Sequence, residues 1–162
     1  KELSVLNILE EAKLVQAIFP QAGAAITGAY VSLKNYAKAY VIVHINQANA
    51  ATVAISIEQA TSIAAGGTTP ITKVVPIWAD LDEAASDALV RATDAVNYTT
   101  DAGVKYKVVV FEIDPALLNV AGGFDCITVK TGASNAANIT SALYLLVGAR
   151  YQQALPPTAV AD

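Results

Sequence analysis

The sequence predicts a mainly β protein: an antiparallel, jelly-roll-like β-sandwich preceded by an N-terminal helix or extended arm. Three observations carry that expectation. From Ala22 onward, helix formers give way to Val, Ile, Thr and Tyr punctuated by Gly, Asn and Asp, the composition of strands joined by turns. Val53, Ile55 and Ile57 alternate with Ala54, Ser56 and Glu58, the two-residue period of a half-buried antiparallel strand. Roughly seven to nine strand-like segments follow one another at short spacing, which favours a sandwich or barrel over a doubly wound sheet.

The elements are expected in this order. Val5, Ile8, Leu9, Ala12 and Val15 share one helical face, with Ser4 as a cap and Lys13 near the negative end of the dipole. The same segment also suits an extended arm lying on a neighbour. Ala29 to Leu33 is a short strand. Ala39 to Asn46 is almost continuously apolar, so both of its faces are expected to be buried. Asn46 to Asn49 is a turn, and Val53 to Glu58 is the alternating strand. Ala65 to Pro70 is a loop. Ile71 to Trp78 is a strand placed at an edge or bend by Pro76, which lacks a ladder donor. Asp80 to Asp87 is an acidic loop or single helical turn. Ala88 to Thr93 and Val96 to Thr99 are weaker strands, and Lys105 to Ile113 is a strong one. Asp114-Pro115 starts a helical turn, Asp as cap and Pro at the first position, and Gly122-Gly123 ends it. Phe124 to Lys130 and Ile139 to Tyr151 are strands on either side of a polar loop. The domain organisation that follows is an arm at 1–29, a sandwich at 30–151 and an irregular, outward-reaching tail at 152–162 around Pro156-Pro157.

Composition narrows the function. Of the 162 residues, 54% are hydrophobic and only 15% charged, against about 25% charged in an average globular protein. A chain this poor in charge is expected to hide more than its core, which points to subunit contacts and a homo-oligomer, dimer or trimer. The net charge is −4 and no Lys/Arg cluster occurs, so no nucleic-acid partner is expected. No run reaches the ~18 apolar residues of a membrane helix, so no membrane partner is expected. The first residues lack the layout of a secretory signal, and the single cysteine forbids an intrachain disulfide; both fit intracellular synthesis.

The search for reactive groups leads to the expectation of no enzyme, no catalytic residue, no metal site and no cofactor. His44, the only histidine, lies among β formers on the face of Tyr40 and Ile42, as a core or interface residue. A general base needs a nucleophile and an orienting partner, and neither is near it in sequence. Cys126 stands beside Asp125, a setting that does not activate a thiol, so it reads as buried and inert. Asp80, Asp82, Glu83 and Asp87 lack the spacing and glycine of a calcium loop. Paired carboxylates for glycoside hydrolysis are not singled out by anything local. The glycine pairs at 66–67 and 122–123 are not phosphate loops. Asn97-Tyr98-Thr99 and Asn138-Ile139-Thr140 match the glycosylation triplet without a secretory context. The tyrosines at 30, 36, 40, 98, 106, 144 and 151 suit interfaces, where an apolar ring meets a wet hydroxyl. Trp78 is the platform residue of the alternative reading, a carbohydrate-binding or adhesin-like sandwich.

Three stretches taken together carry a resemblance: YVSLKNY (Tyr30 to Tyr36) with its following apolar strand, GFDCITV (Gly123 to Val129) and YLLVGARY (Tyr144 to Tyr151). In order and spacing the region from Tyr30 to Tyr151 resembles the capsid decoration, cement or minor structural proteins of tailed bacteriophages. The resemblance implies a β-sandwich subunit on the surface of the virion capsid, made in the host cytoplasm. It implies the major capsid protein as partner and a stabilising role that needs contact area and no reaction centre. An N-terminal arm would be a natural clamp.

Overall fold

The structure, a computed structural model, describes residues 7–151 and 155–161. Strand periodicity dominates from the start. The expected N-terminal helix shrinks to one turn, α1 (Ile8–Glu11), and extended chain takes over at Ala12. Only Ile8 and Leu9 of the apolar stripe are helical, and both are exposed; Ser4 and Val5 lie outside the described residues. The physical reason is that so short a helix gains little by itself, whereas the same residues complete a ladder. Thus β1 (Ala12–Ala22) pairs along β12 (Ile139–Ala149), and β2 (Ile26–Thr27) pairs with β11 (Cys126–Thr131). The segment at 1–29 therefore supplies one strand to each of two sheets.

The remaining strands are β3 (Val31–Ser32), β4 (Tyr36–Asn46), β5 (Ala54–Ala60), β6 (Thr69–Pro70), β7 (Ile77–Asp80), β8 (Val90–Arg91), β9 (Asn97–Thr99) and β10 (Tyr106–Ile113). They form two antiparallel six-stranded sheets packed as a sandwich. The larger runs β1-β12-β4-β10-β7-β8; the smaller runs β2-β11-β5-β6, with β3 also on β11 and β9 also on β5. Take β1, β2, β4, β5, β9, β10, β11 and β12 as strands one to eight. The larger sheet then reads 1-8-3-6 and the smaller 2-7-4-5, which is jelly-roll winding. The β7–β8 hairpin widens the larger sheet beyond that frame.

Inside, alternate residues of β4 (Ala39, Val41, Val43, Ile45), β10 (Val109, Phe111, Ile113) and β12 (Ala142, Tyr144, Leu146) meet Ile55 and Ile57 of β5 and Ile127 and Val129 of β11. Tyr144 crosses the layer: its hydroxyl donates to the Ala29 carbonyl at 2.8 Å and accepts from the Val129 amide at 2.9 Å. Burial holds that phenol well above its ordinary pKa. At one end of the core lies Lys107, fully buried. Its ammonium donates to Asp101 Oδ1 (2.5 Å), the Asp101 carbonyl (3.0 Å) and Gln47 Oε1 (3.1 Å). Thr100 donates to the same Gln47 oxygen at 2.7 Å and accepts from the Val53 amide at 2.9 Å. A buried cation survives there because three acceptors replace its water.

Several expected elements are shortened. The strand expected at 71–78 begins only at Ile77, because Pro76 has no amide to give the ladder; its carbonyl accepts from Glu112 instead. Asp114 caps a 3-10 turn by accepting from the Ala116 amide at 2.9 Å, and Gly123 closes the next turn at φ +80, where an L side chain is strained. The tail does not reach outward. Ala159 is fully buried, its carbonyl accepts from the Ser32 amide at 2.8 Å, and Tyr36 donates its hydroxyl to the Pro157 carbonyl. Residues 152–154 of the expected tail lie outside the described residues.

Candidate assembly surface

In an antiparallel ladder, residues directly opposite share a face. The register of the larger sheet therefore fixes what it turns outward. One row across it reads Gln16, Leu143, Ile42, Val110, Trp78, Arg91. The next row reads Leu14, Leu145, Tyr40, Glu112, and on the other side lie Ser141, His44, Val108 and Asp80. The centre of this face is aliphatic and aromatic. Leu14 is 55% exposed and Leu143 37%. Ile42, Tyr40, Val108, Leu145 and Trp78 are half-buried by their neighbours alone.

Here the expectation of burial on both faces of Ala39 to Asn46 is corrected. Only Ala39, Val41, Val43 and Ile45 are buried, and the alternate set faces outward. The apolar run records a second face, on which Tyr40 and Ile42 stay half-buried and Val110, opposite Ile42, is buried.

Charge sits at the margin in pairs. Lys38 bridges to Glu112, which holds its ammonium above the ordinary pKa, and Arg91 bridges to Asp94. His44 lies 3.1 Å from Glu83 and is exposed, so the core half of its sequence reading is corrected. Trp78 carries the Arg91 guanidinium 5.3 Å from its ring centroid, which occupies one ring face.

The acidic segment turns its carboxylates to separate tasks. Asp80 is buried and accepts from the Asp82 amide at 3.0 Å. Asp82 pairs with Lys105, which holds its carboxyl below the usual range, and Glu83 pairs with His44. Asp87 is exposed. Among the described residues no three His, Cys, Asp or Glu side chains converge as a metal-holding group. Cys126 is fully buried, its thiol 3.3 Å from Asp125 Oδ1. Of the glycosylation triplets, Asn97 is exposed, whereas Asn138 is buried and donates to the Ala51 carbonyl at 2.8 Å.

The tyrosines divide. Tyr36 and Tyr144 are core residues with bonded hydroxyls, which corrects their interface reading; Tyr40 and Tyr106 stand on the outward face. Sequence reasoning missed the buried Lys107 network, since nothing local marks a lysine as internal. It also missed the outward face as such, although three runs apolar at both parities (39–46, 106–113, 139–147) were its signal.

The three stretches that carry the phage resemblance meet at one end of the sandwich. The Leu33 amide donates to the Asp125 carbonyl at 2.8 Å, and the Arg150 amide to the Asn35 carbonyl at 2.9 Å. Tyr36 opposes Ala149, next to Gly148, where φ is +68 and a Cβ would stand 2.8 Å from the Ala37 Cβ. A cleft of about 380 Å3 opens there, walled by Leu33, Val120 and Phe124 and rimmed by Lys34, Asp114 and Arg150.

No family model matches the sequence, and no curated protein matches it. Among solved structures the chain is similar to the SPBc2 prophage-derived protein YomS, with a TM-score of 0.48 and 10% sequence identity. The likeness covers 90% of this chain and 100% of that one.

Proposed function

We propose that this chain is a virion structural protein that binds a phage capsid lattice and stabilises it through subunit contacts, without catalysis. The observation that carries the reading is the outward face of the larger sheet. A face of Leu14, Tyr40, Ile42, Leu143 and Leu145 is costly in water and becomes stabilising when covered by protein. The resemblance over Tyr30 to Tyr151 supplies the setting, and the low charge of 15% agrees with it. Jelly rolls serve both capsids and lectins, so the winding alone does not choose between them. The carbohydrate reading gains nothing from Trp78, whose ring is already stacked on Arg91.

Co-sedimentation with empty capsids of a phage encoding this chain tests the proposal. The expected result is binding that saturates at a fixed ratio to the major capsid protein and raises the temperature at which the shell dissociates. Absence of binding to both unexpanded and expanded shells would overturn it.

A further inference from the structure

We infer that the outward face of the larger sheet is covered by a second copy of this chain, the two sheets packing face to face about a two-fold axis near Ile42. The inference rests on the reading of that face as a permanent contact surface and assigns it to self-association, so that contacts with the capsid fall to the remaining surface of the dimer.

Area is the first argument. Four adjacent strands, β1, β12, β4 and β10, contribute some eight residues each, and β7 contributes its 4, at a spacing of about 4.8 Å. That is on the order of 590 Å2 per copy, or about 1,200 Å2 for the pair, at the lower end of the roughly 1,200–2,000 Å2 of stable protein interfaces.

Charge is the second. The chain carries a net −4, so two copies repel unless their contact is locally neutral. This face meets that condition. Its ionisable groups are met within the same chain: Glu112, beside Tyr40, bridges to Lys38, His44 pairs with Glu83, Arg91 pairs with Asp94, and Asp80 is buried. A strongly basic or acidic partner would find no complementary field here.

The third is the exclusion of edge pairing. The free edge of β1 is broken by register shifts between Gln16 and Ile18 and between Ile18 and Gln21, with Pro20 in the second. The opposite edge, β8, is two residues long. Such edges resist strand addition, so self-association is directed to the face. Face-to-face packing of two twisted sheets about 10 Å apart is the ordinary geometry of sandwiches, and a two-fold makes any self-complementary patch usable on both copies.

The test is sedimentation velocity with light scattering on the full chain at micromolar concentration. The expected result is a dimer for the wild type and for Ser56→Asp, a substitution on the outward face of the smaller sheet. Ile42→Asp is expected to weaken dimerisation by roughly 100-fold or more, since it buries an unpaired carboxylate at the axis. Leu143→Asn is the milder second variant. Leu143 is already 37% exposed, so the monomer keeps its fold, verified by far-ultraviolet circular dichroism, and the dimer is still weakened. A monomeric wild type overturns the inference, and so does a dimer that survives both variants with the fold intact. A monomer that nonetheless co-sediments with capsids removes the second copy while leaving the capsid role standing; a chain that neither dimerises nor binds capsids removes both.

Discussion

The outward faces of the two sheets obey opposite rules. On the smaller sheet the ladder turns out Ser56, Glu58 and Lys130, with Lys130 bridging to Glu58 at 3.2 Å, while Thr128 on the same side is buried and donates to the Gly28 carbonyl at 2.8 Å. On the larger sheet the equivalent positions are Tyr40, Ile42, Val108, Val110, Leu143 and Leu145. Both sheets bury their inner faces against the same core, and both are antiparallel. Folding of one chain therefore asks nothing different of their outer residues. The difference is what the proposed second burial event, at the larger sheet alone, accounts for.

The comparison has meaning only while the two sheets are held as one layer pair, so the largest effect is expected at the residue that joins them. Tyr144→Phe leaves the buried Val129 amide without its hydroxyl partner and takes the donor from the part-buried Ala29 carbonyl. A loss of about 2–3 kcal/mol in urea unfolding is expected, the cost of stranding buried polar groups. A loss near zero would mean that the layer is held by apolar packing alone.

Next comes the cationic end of the core. Asp101→Asn keeps an acceptor for Lys107 but removes the charge that compensates a fully buried ammonium. Asp101 is itself more than half exposed, so the loss is expected to be about 1–2 kcal/mol, below that of a fully buried pair. Acid gives an independent reading. Lys107 lowers the carboxyl pKa of Asp101, and Lys105 lowers that of Asp82. A depressed carboxylate contributes stability above its unfolded pKa, about 3.9, and loses it as pH falls through the lower folded value. Stability is therefore expected to fall below about pH 4 in the wild type and to fall less in Asp101→Asn, followed by thermal melts at stepped pH.

The smallest effect sharpens the contrast most. Ser56→Asp places a carboxylate directly opposite Lys130 on the polar face. Its effect on unfolding is expected to stay within about 0.5 kcal/mol, as at ordinary surface positions. A larger change, measured by the same urea titration, would show that the smaller sheet's outer face also depends on packing.

Legibility followed the range of the interactions involved. The alternation at Val53 to Glu58, the cap at Asp114 with Pro115 and the turn at Gly123 are local, and each stands where the sequence puts it. The sequence left helix and extended arm open for the N-terminal segment, because Ala12 to Val15 satisfy a helical stripe and a strand equally well; pairing with β12 makes them strand and leaves one helical turn before them. His44 and Tyr144 both lie in apolar runs, yet one is outside and one is inside. Their parity along β4 and β12 relative to the core sets this, and composition does not carry parity. Tyr36 shares the parity of His44 and is buried all the same, at the start of β4 where the tail's Pro157 carbonyl accepts from its hydroxyl.

By itself the sequence determined the strand class, the turn chemistry, the scarcity of charge and the apolar character of the runs at 39–46, 106–113 and 139–147. Only the tertiary structure decided which half of each run is core and which half is surface. A run apolar at both parities is compatible with either face inward, and a one-residue change of register exchanges them. The choice was made where β1, β12, β4 and β10 came side by side, aligning Leu14, Leu145 and Tyr40 into one outward surface.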